Sequence, residues 1–167
     1  MMPKTEVYPK LSVVIPVYNR ENTIGRALNS VLGQEYPDYE VIVVDDGSTD
    51  GTPRVVQSFY SPRLVYHRLP SNMERMRSRN EGYRLSRGDW IIFLDSDDDL
   101  VPGALHTVAE YIRNIADDRV GVFFFGSTDP ESPDKVVSWV KHSPLRANYE
   151  AVVSQKQFRG DFLPVVR

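Results

Sequence analysis

The sequence predicts an α/β domain built on a mostly parallel sheet flanked by helices. Three observations carry this reading: short apolar runs rich in β-branched residues recur along the chain, stretches with helical spacing separate them, and polar loops rich in aspartate follow two of them. In sheets of this kind ligands bind at the carboxyl ends of the strands. The loops behind the apolar runs are therefore where a site is expected.

Leu11-Ser12-Val13-Val14-Ile15-Pro16 is a short run stopped by proline, as expected of a buried strand. From Glu21 to Gln34, Ile24, Ala27, Leu28, Val31 and Leu32 fall at helical spacing, with Asn22 placed to cap the helix. Glu40-Val41-Ile42-Val43-Val44 predicts a second strand. It runs into Asp45-Asp46-Gly47-Ser48-Thr49-Asp50-Gly51, a loop of turn formers. A short helix is expected over Thr52 to Tyr60 and a third strand over Arg63 to Leu69. Asn80 to Ser86 belongs to a helix that ends near Gly88, and Trp90 to Leu94 forms the next strand. Pro102 suits the first turn of a helix reaching about Ala116, and Val120 to Phe125 is a further strand. On this topology the loop after Ile15, the Asp45-Asp46 loop and the Asp95 to Asp99 loop share one edge of the sheet.

The chain has 167 residues, of which 41% are hydrophobic, enough for one domain with a core. A formal charge of −3 gives no bulk electrostatic reason to bind nucleic acid, and no such partner is expected. The absence of cysteine excludes disulfides, thiolate nucleophiles and cysteine-ligated zinc, and fits a cytoplasmic location. Met1-Met2-Pro3-Lys4-Thr5-Glu6 lacks the apolar core of a signal peptide. No run approaches the roughly 18 apolar residues of a membrane span. The expectation is a soluble protein, with peripheral association at the cytoplasmic face of the membrane left open.

Asp95, Asp97, Asp98 and Asp99 stand directly behind the apolar run Trp90-Ile91-Ile92-Phe93-Leu94. Carboxylates so concentrated repel one another and resist burial, so they need a cation, a donor network or water. Hard divalent cations are commonly held by one or two carboxylates plus the oxygens of a substrate phosphate. A single aspartate here needs no more than a role as helix cap. Four in five positions at a strand end point instead to a metal-assisted nucleotide site. An EF-hand does not fit, because Leu100 occupies its glycine position and His106 its bidentate glutamate position. A loop starting at Asp46 fails likewise, with Gln57 in last place.

In isolation Asp45-Asp46-Gly47-Ser48 is a polar turn. Behind a buried strand, Asp46 can instead accept hydrogen bonds from a base edge or a ribose hydroxyl. Arg68, Arg75, Arg77, Arg79, Arg84 and Arg87 form a basic stretch diluted only by Glu74 and Glu81. Most are expected on a solvated helical face, with one or two free to pair with diphosphate oxygens through the guanidinium fork. His67, His106 and His142 lack zinc-ligand spacing. There is no G-x-G-x-x-G and no Walker A lysine loop, so Rossmann dinucleotide and P-loop readings lose their support. Trp139 and Phe123-Phe124-Phe125 read as core rather than as a stacking platform.

Taken in order, Ser12-Val13-Val14-Ile15-Pro16-Val17-Tyr18-Asn19, Val43-Val44-Asp45-Asp46-Gly47-Ser48-Thr49-Asp50, Asn72, Arg79-Asn80, Gly82 and Gly88-Asp89-Trp90-Ile91-Ile92-Phe93-Leu94-Asp95-Ser96-Asp97-Asp98 resemble the family 2 glycosyltransferases, inverting enzymes with the GT-A fold. Order and spacing agree over roughly residues 11–105, which the resemblance makes the nucleotide-sugar-binding half of a single GT-A domain spanning 1–167. By this likeness Pro16 and Tyr18 line a uridine pocket and Asp46 contacts the base. Asp95 and Asp97 match the family's D-x-D motif. Asp97 would ligate the metal directly, and Asp95 would contact the ribose or support the metal's ligands. Arg79 and Asn80 would support the nucleotide side. The metal implied is Mn²⁺ or Mg²⁺, bridging the donor's diphosphate. Two positions depart from the pattern: Glu74 stands where the family often has glycine, and Ser78 where it favours alanine.

The reaction implied is displacement at the anomeric carbon with inversion. It moves a sugar from a nucleotide-diphosphate donor, UDP-linked, to an acceptor hydroxyl on a saccharide, lipid-linked sugar or protein, in the setting of cell-surface polysaccharide or glycoconjugate synthesis. It needs a general base, which family members supply after the acceptor-binding segment. Gly160 to Arg167 resembles the approach to that segment, so the base is expected beyond Arg167 and the fold is expected to be incomplete at its C-terminus. Asp129, Glu131, Glu150 and Asp161 match the base by residue type alone. Two rivals stand beside this reading. A nucleotidyltransferase that forms sugar nucleotides would carry a glycine-rich basic loop where Pro16-Val17-Tyr18-Asn19-Arg20 stands. A non-catalytic nucleotide-sugar-binding module fits a missing base but not an intact D-x-D pair.

Overall fold

The first strand, β1 (Leu11–Val17), is buried at every position except the partly exposed Pro16, and it sits inside the sheet. The computed structural model describes residues 8–73, 75–114, 122–126, 128–129, 132–136 and 162–167. Parallel neighbours flank β1, with β2 (Tyr39–Asp45) on one side and β4 (Trp90–Phe93) on the other. Beyond β2 lies β3 (Leu64–Arg68), also parallel. β8 (Phe162–Val166) pairs antiparallel with β4, and β5 (Val122–Gly126) pairs antiparallel with β8. The order is thus β3-β2-β1-β4-β8-β5, with β6 (Thr128–Asp129) and β7 (Ser132–Val136) forming a separate two-stranded sheet.

Side chains alternate across a strand, so each face of the sheet must be covered. Val13, Ile15, Val41, Val43 and Ile92 share one core with Ile24, Leu28 and Val31 of α1 (Ile24–Leu32), Val56 of α2 (Thr52–Gln57) and Leu105 and Val108 of α4 (Ala104–Asn114). On the opposite face Val14, Ile42, Val44, Ile91 and Phe93 pack with Leu85 of α3 (Arg75–Leu85). α3 lies so close to β1 that a Cβ at Gly82 would run into Cγ1 of Val14. At the amino edge of the sheet, Ser12 Oγ donates to Glu40 at 2.7 Å and accepts from the Gly88 amide at 2.8 Å. That stitches β1, β2 and the entry to β4 together.

Several boundaries differ from the sequence reading. α1 starts at Ile24 with Thr23 as N-cap, because the Arg20 carbonyl accepts from the Thr23 and Ile24 amides; Asn22 lies within that turn and does not cap. α3 begins at Arg75, five residues ahead of Asn80. Its arginine-rich first turns carry no apolar stripe to announce a helix. Gly103 adopts φ +79°, so Pro102 belongs to a turn and α4 starts at Ala104. Within the stretch Gly160 to Arg167, residues Phe162–Val166 form β8, a strand inside the sheet that the sequence reading does not mark. Phe123, Phe124 and Phe125 pair with Val165, Pro164 and Leu163. Glu74, Glu131, Trp139, His142, Glu150 and Asp161 lie outside the described residues. Among the described residues no helix is long and apolar enough to cross a membrane.

Candidate active site

Because β1, β2 and β4 run parallel, the loops behind them open on one edge, as the sequence predicts. They enclose a cleft of about 370 Å³. Pro16, Val17 and Tyr18 line it from the end of β1, Asp46 from behind β2, and Asp95, Ser96 and Asp97 from behind β4. Arg20, Asn72 and Ser78 complete the wall.

The loop behind β2 hangs on a buried carboxylate. Asp45 is fully buried. Its Oδ1 accepts from the Ser48 amide at 2.8 Å and its Oδ2 from the Tyr66 hydroxyl at 2.6 Å. Arg68 Nε stands 3.6 Å from Oδ2, and Arg68 Nη2 donates to the Ser48 carbonyl at 2.7 Å. A carboxylate cut off from water needs such donors. Burial and the adjoining Asp45 carboxylate both disfavour the Tyr66 phenolate, which pushes that hydroxyl's pKa up.

Asp46 follows directly. Its amide donates to the Val17 carbonyl and its Oδ1 accepts from the Met73 amide, each at 2.8 Å. Gly47 sits at φ +73°, and a Cβ there would fall 2.7 Å from the Ser71 carbonyl carbon. Only glycine meets both demands. Ser48 Oγ accepts from the Asn19 amide at 3.0 Å, while Asn19 Oδ1 accepts from the Thr49 amide at 2.8 Å. The loops behind β1 and β2 are therefore one hydrogen-bonded unit.

Behind β4, Arg79 Nη2 donates to Asp95 Oδ1 at 2.7 Å. Asp97 is exposed, and Arg20 Nε stands 3.8 Å from its Oδ2. Arg26 donates to the Asp97 carbonyl at 2.6 Å and pairs with Asp99 at 2.7 Å. Ser30 Oγ accepts from the Leu100 amide at 3.0 Å, and Gln34 Nε2 donates to the Val101 carbonyl at 2.9 Å. Arg26 and Ser30 on α1 and Gln34 just past its C-cap lie at i, i+4 and i+8 and together fasten the acidic loop. That spacing is the sequence signal for Arg26, which sequence reasoning missed.

Of the residues singled out from sequence, Pro16, Tyr18, Asp46, Asp95 and Asp97 line one cleft. Arg79 reaches it through Asp95, whereas Asn80 is exposed on α3 and is not part of the lining. Arg20 and Ser96 line it without having been singled out for a role. The basic stretch divides: Arg68 holds Asp45 and Ser48, Arg79 holds Asp95, and Arg84 bonds Glu81 on the exposed side of α3. That bond holds the Glu81 carboxyl below the usual carboxylate range. His67 Nε2 lies 3.5 Å from the same carboxylate.

Asp95 and Asp97, side by side behind β4, suit a hard divalent cation that draws its remaining ligands from phosphate and water. They do not make a closed protein cage, and among the described residues no cluster of three or more potential ligands exists.

The family model for "Glycosyl transferase family 2" matches residues 12–161. The chain belongs to glycosyl transferase family 2. It is 40% identical over 108 residues to "Succinoglycan biosynthesis protein ExoO" of Rhizobium meliloti, covering 65% of this chain and 31% of that protein. It is 38% identical over 106 residues to "GalNAc(5)-diNAcBac-PP-undecaprenol beta-1,3-glucosyltransferase" of Campylobacter jejuni, covering 61% and 34%. The chain thus spans about a third of the length of the curated relatives it matches. Among solved structures, S. aureus TarS 1-349 in complex with UDP-GlcNAc superposes with TM-score 0.60 at 35% identity, over 62% of this chain and 31% of that one. The mannosyltransferase PcManGT from Pyrobaculum calidifontis, in complex with GDP-Man and Mn²⁺, gives 0.63 at 27% identity, over 79% and 39%. The fold of this family 2 chain is GT-A, with the parallel strands β3-β2-β1-β4 at its centre.

Proposed function

We propose that the chain forms a single GT-A domain with residues 11–105 as the donor half of a metal-assisted, inverting glycosyltransferase that uses a UDP-linked sugar. The observation that carries this reading is the meeting of Asp46 with Asp95 and Asp97 in one cleft at the carboxyl edge of the sheet. Pro16 and Tyr18 would wall the base, and Asp46, already oriented by the Met73 amide, would accept from its N–H edge. Asp95, steadied by Arg79, would face the ribose or the metal's ligands, and Asp97 would hold Mn²⁺ or Mg²⁺. When bound, the cation supplies charge stabilisation to the leaving nucleotide diphosphate. Arg20 lies beside Asp97 and would meet the same diphosphate oxygens. Asn80, exposed on α3, would act at most from outside the cleft lining.

The relatives support the finer points. TarS was solved with UDP and with UDP-GlcNAc at 35% identity, whereas the complex with GDP-Man and Mn²⁺ stands at 27%. Succinoglycan, undecaprenol-linked and poly(ribitol-phosphate) relatives favour a saccharide or lipid-linked acceptor in polysaccharide or glycoconjugate synthesis.

Calorimetry with UDP, GDP and CMP, each with Mn²⁺ and with chelator, tests the proposal. Metal-dependent binding of UDP in preference to the others is expected. A preference for GDP would overturn the uridine assignment, and binding indifferent to chelator would overturn the metal assignment.

A further inference from the structure

We infer that Tyr66 and Arg68, on the edge strand β3, set the base selectivity of the cleft by holding the loop that carries Asp46. This rests on the donor-site reading above. Neither residue lines the cleft, so both act as positioning residues.

The contacts run in one chain. Tyr66 and Arg68 are two apart on β3 and so project to the same side. They pair in register with Val43 and Asp45 of the neighbouring strand. From there the Tyr66 hydroxyl reaches Oδ2 of Asp45, and Arg68 reaches both that oxygen and the Ser48 carbonyl. Asp45 in turn fixes the Ser48 amide. Asp46 and Gly47 lie between these fixed points, and Ser48 carries the restraint on to the Asn19 amide. A buried carboxylate cannot exchange its donors for water, so the geometry of its partners becomes the geometry of the loop. Without β3, the Ser48 amide would be the one remaining donor to Asp45 among these contacts.

Selectivity follows from the chemistry of the base edge. Uracil N3 carries a hydrogen and donates to a carboxylate, whereas cytosine N3 presents a lone pair that a carboxylate repels. Hydrogen bonds weaken steeply as distance and angle depart from ideal. The ratio of UDP to CDP affinity therefore reports how well Asp46 is held, independently of the diphosphate end of the site.

The test uses the full chain with Tyr66→Phe and, separately, Arg68→Met. Arg68 is half-exposed, so its replacement keeps the test alive if Tyr66→Phe does not fold by circular dichroism. UDP and CDP affinities are measured calorimetrically with Mn²⁺, and exchange of the Ser48 amide hydrogen is followed by NMR without nucleotide. In each variant UDP affinity is expected to fall about five- to tenfold and CDP affinity by less than about twofold, with faster Ser48 exchange. Equal losses for UDP and CDP would reduce the two residues to a general structural role and overturn the inference. A wild-type preference for UDP that survives both substitutions would sink the inference alone. A wild-type chain that binds neither nucleotide would sink the donor-site reading, and this inference with it.

Discussion

Arg79 and Asp95 join α3 to the loop behind β4 through a charge-assisted hydrogen bond of 2.7 Å. The guanidinium also stands over the Phe93 ring, 5.9 Å from its centroid. Arg79→Met removes this partner from a carboxylate that lines the cleft. The pair is partly exposed, so the expected loss of stability is only about 1 kcal/mol by urea denaturation. Metal-dependent UDP affinity should fall at least about fivefold, since Asp95 loses its orientation. An affinity equal to wild type would show that Asp95 needs no such support.

Asp97 is expected to separate binding from folding. Its side chain is exposed and its ion pair with Arg20 is long, while the Arg26 bond goes to its backbone carbonyl and survives truncation. Asp97→Ala should therefore leave the thermal midpoint within about 2 °C of wild type. The same variant should lose the difference between UDP binding with Mn²⁺ and UDP binding with chelator. Retention of that difference would remove Asp97 from the metal site.

Gly82→Ala tests the packing of α3. The added methyl would collide with Val14 Cγ1, in a core with no slack along β1. Overpacking of this kind costs about 1–3 kcal/mol, against a gain of up to about 1 kcal/mol in helix propensity. Net destabilisation in chemical denaturation is expected. A stabilised variant would mean that α3 can lift away from the sheet without loss.

Tyr36 gives the fold an alkaline limit. It is buried, and its hydroxyl donates to the Pro9 carbonyl at 2.6 Å. Burial, then the nearby Asp38 charge, raise its pKa to about 12 from 10.0. The folded chain keeps this proton where the unfolded chain loses it. The contribution is thus intact below about pH 10 and is lost between about pH 10 and 12. Over that window wild type should lose on the order of 2 kcal/mol more than Tyr36→Phe. Parallel stability curves for the two proteins would contradict the assignment.

Much of the site was legible because buried parallel strands leave long apolar runs, and polar residues stop them abruptly. β1, β2 and β4 are such runs, and just behind them stand Tyr18, Asp46 and Asp95, all of which line the cleft. The illegible parts lack a pattern of their own. Four of the eleven residues of α3 are arginine, whose role depends on partners such as Asp95 that are distant in sequence. Phe162–Val166 contains a proline and shows no alternation, so only its place between β4 and β5 makes it a strand. Asp45 was the harder case. It looks like Asp46 in sequence, yet one faces the interior network and the other the cleft.

The insertion of β8 between β4 and β5 has a consequence for biogenesis. Synthesis runs from the N-terminus, so β1 to β4 and the loops around Asp46 emerge well before Val165 can reach Ile92. Those loops are held by β1, β2, β3 and the Met73 amide, all of which precede β4 in the chain, and can assemble early during synthesis. The outer edge of β4 meanwhile presents unpaired amides and carbonyls, a template for strands of other molecules. The interval before β8 arrives is when this chain most needs protection from its neighbours.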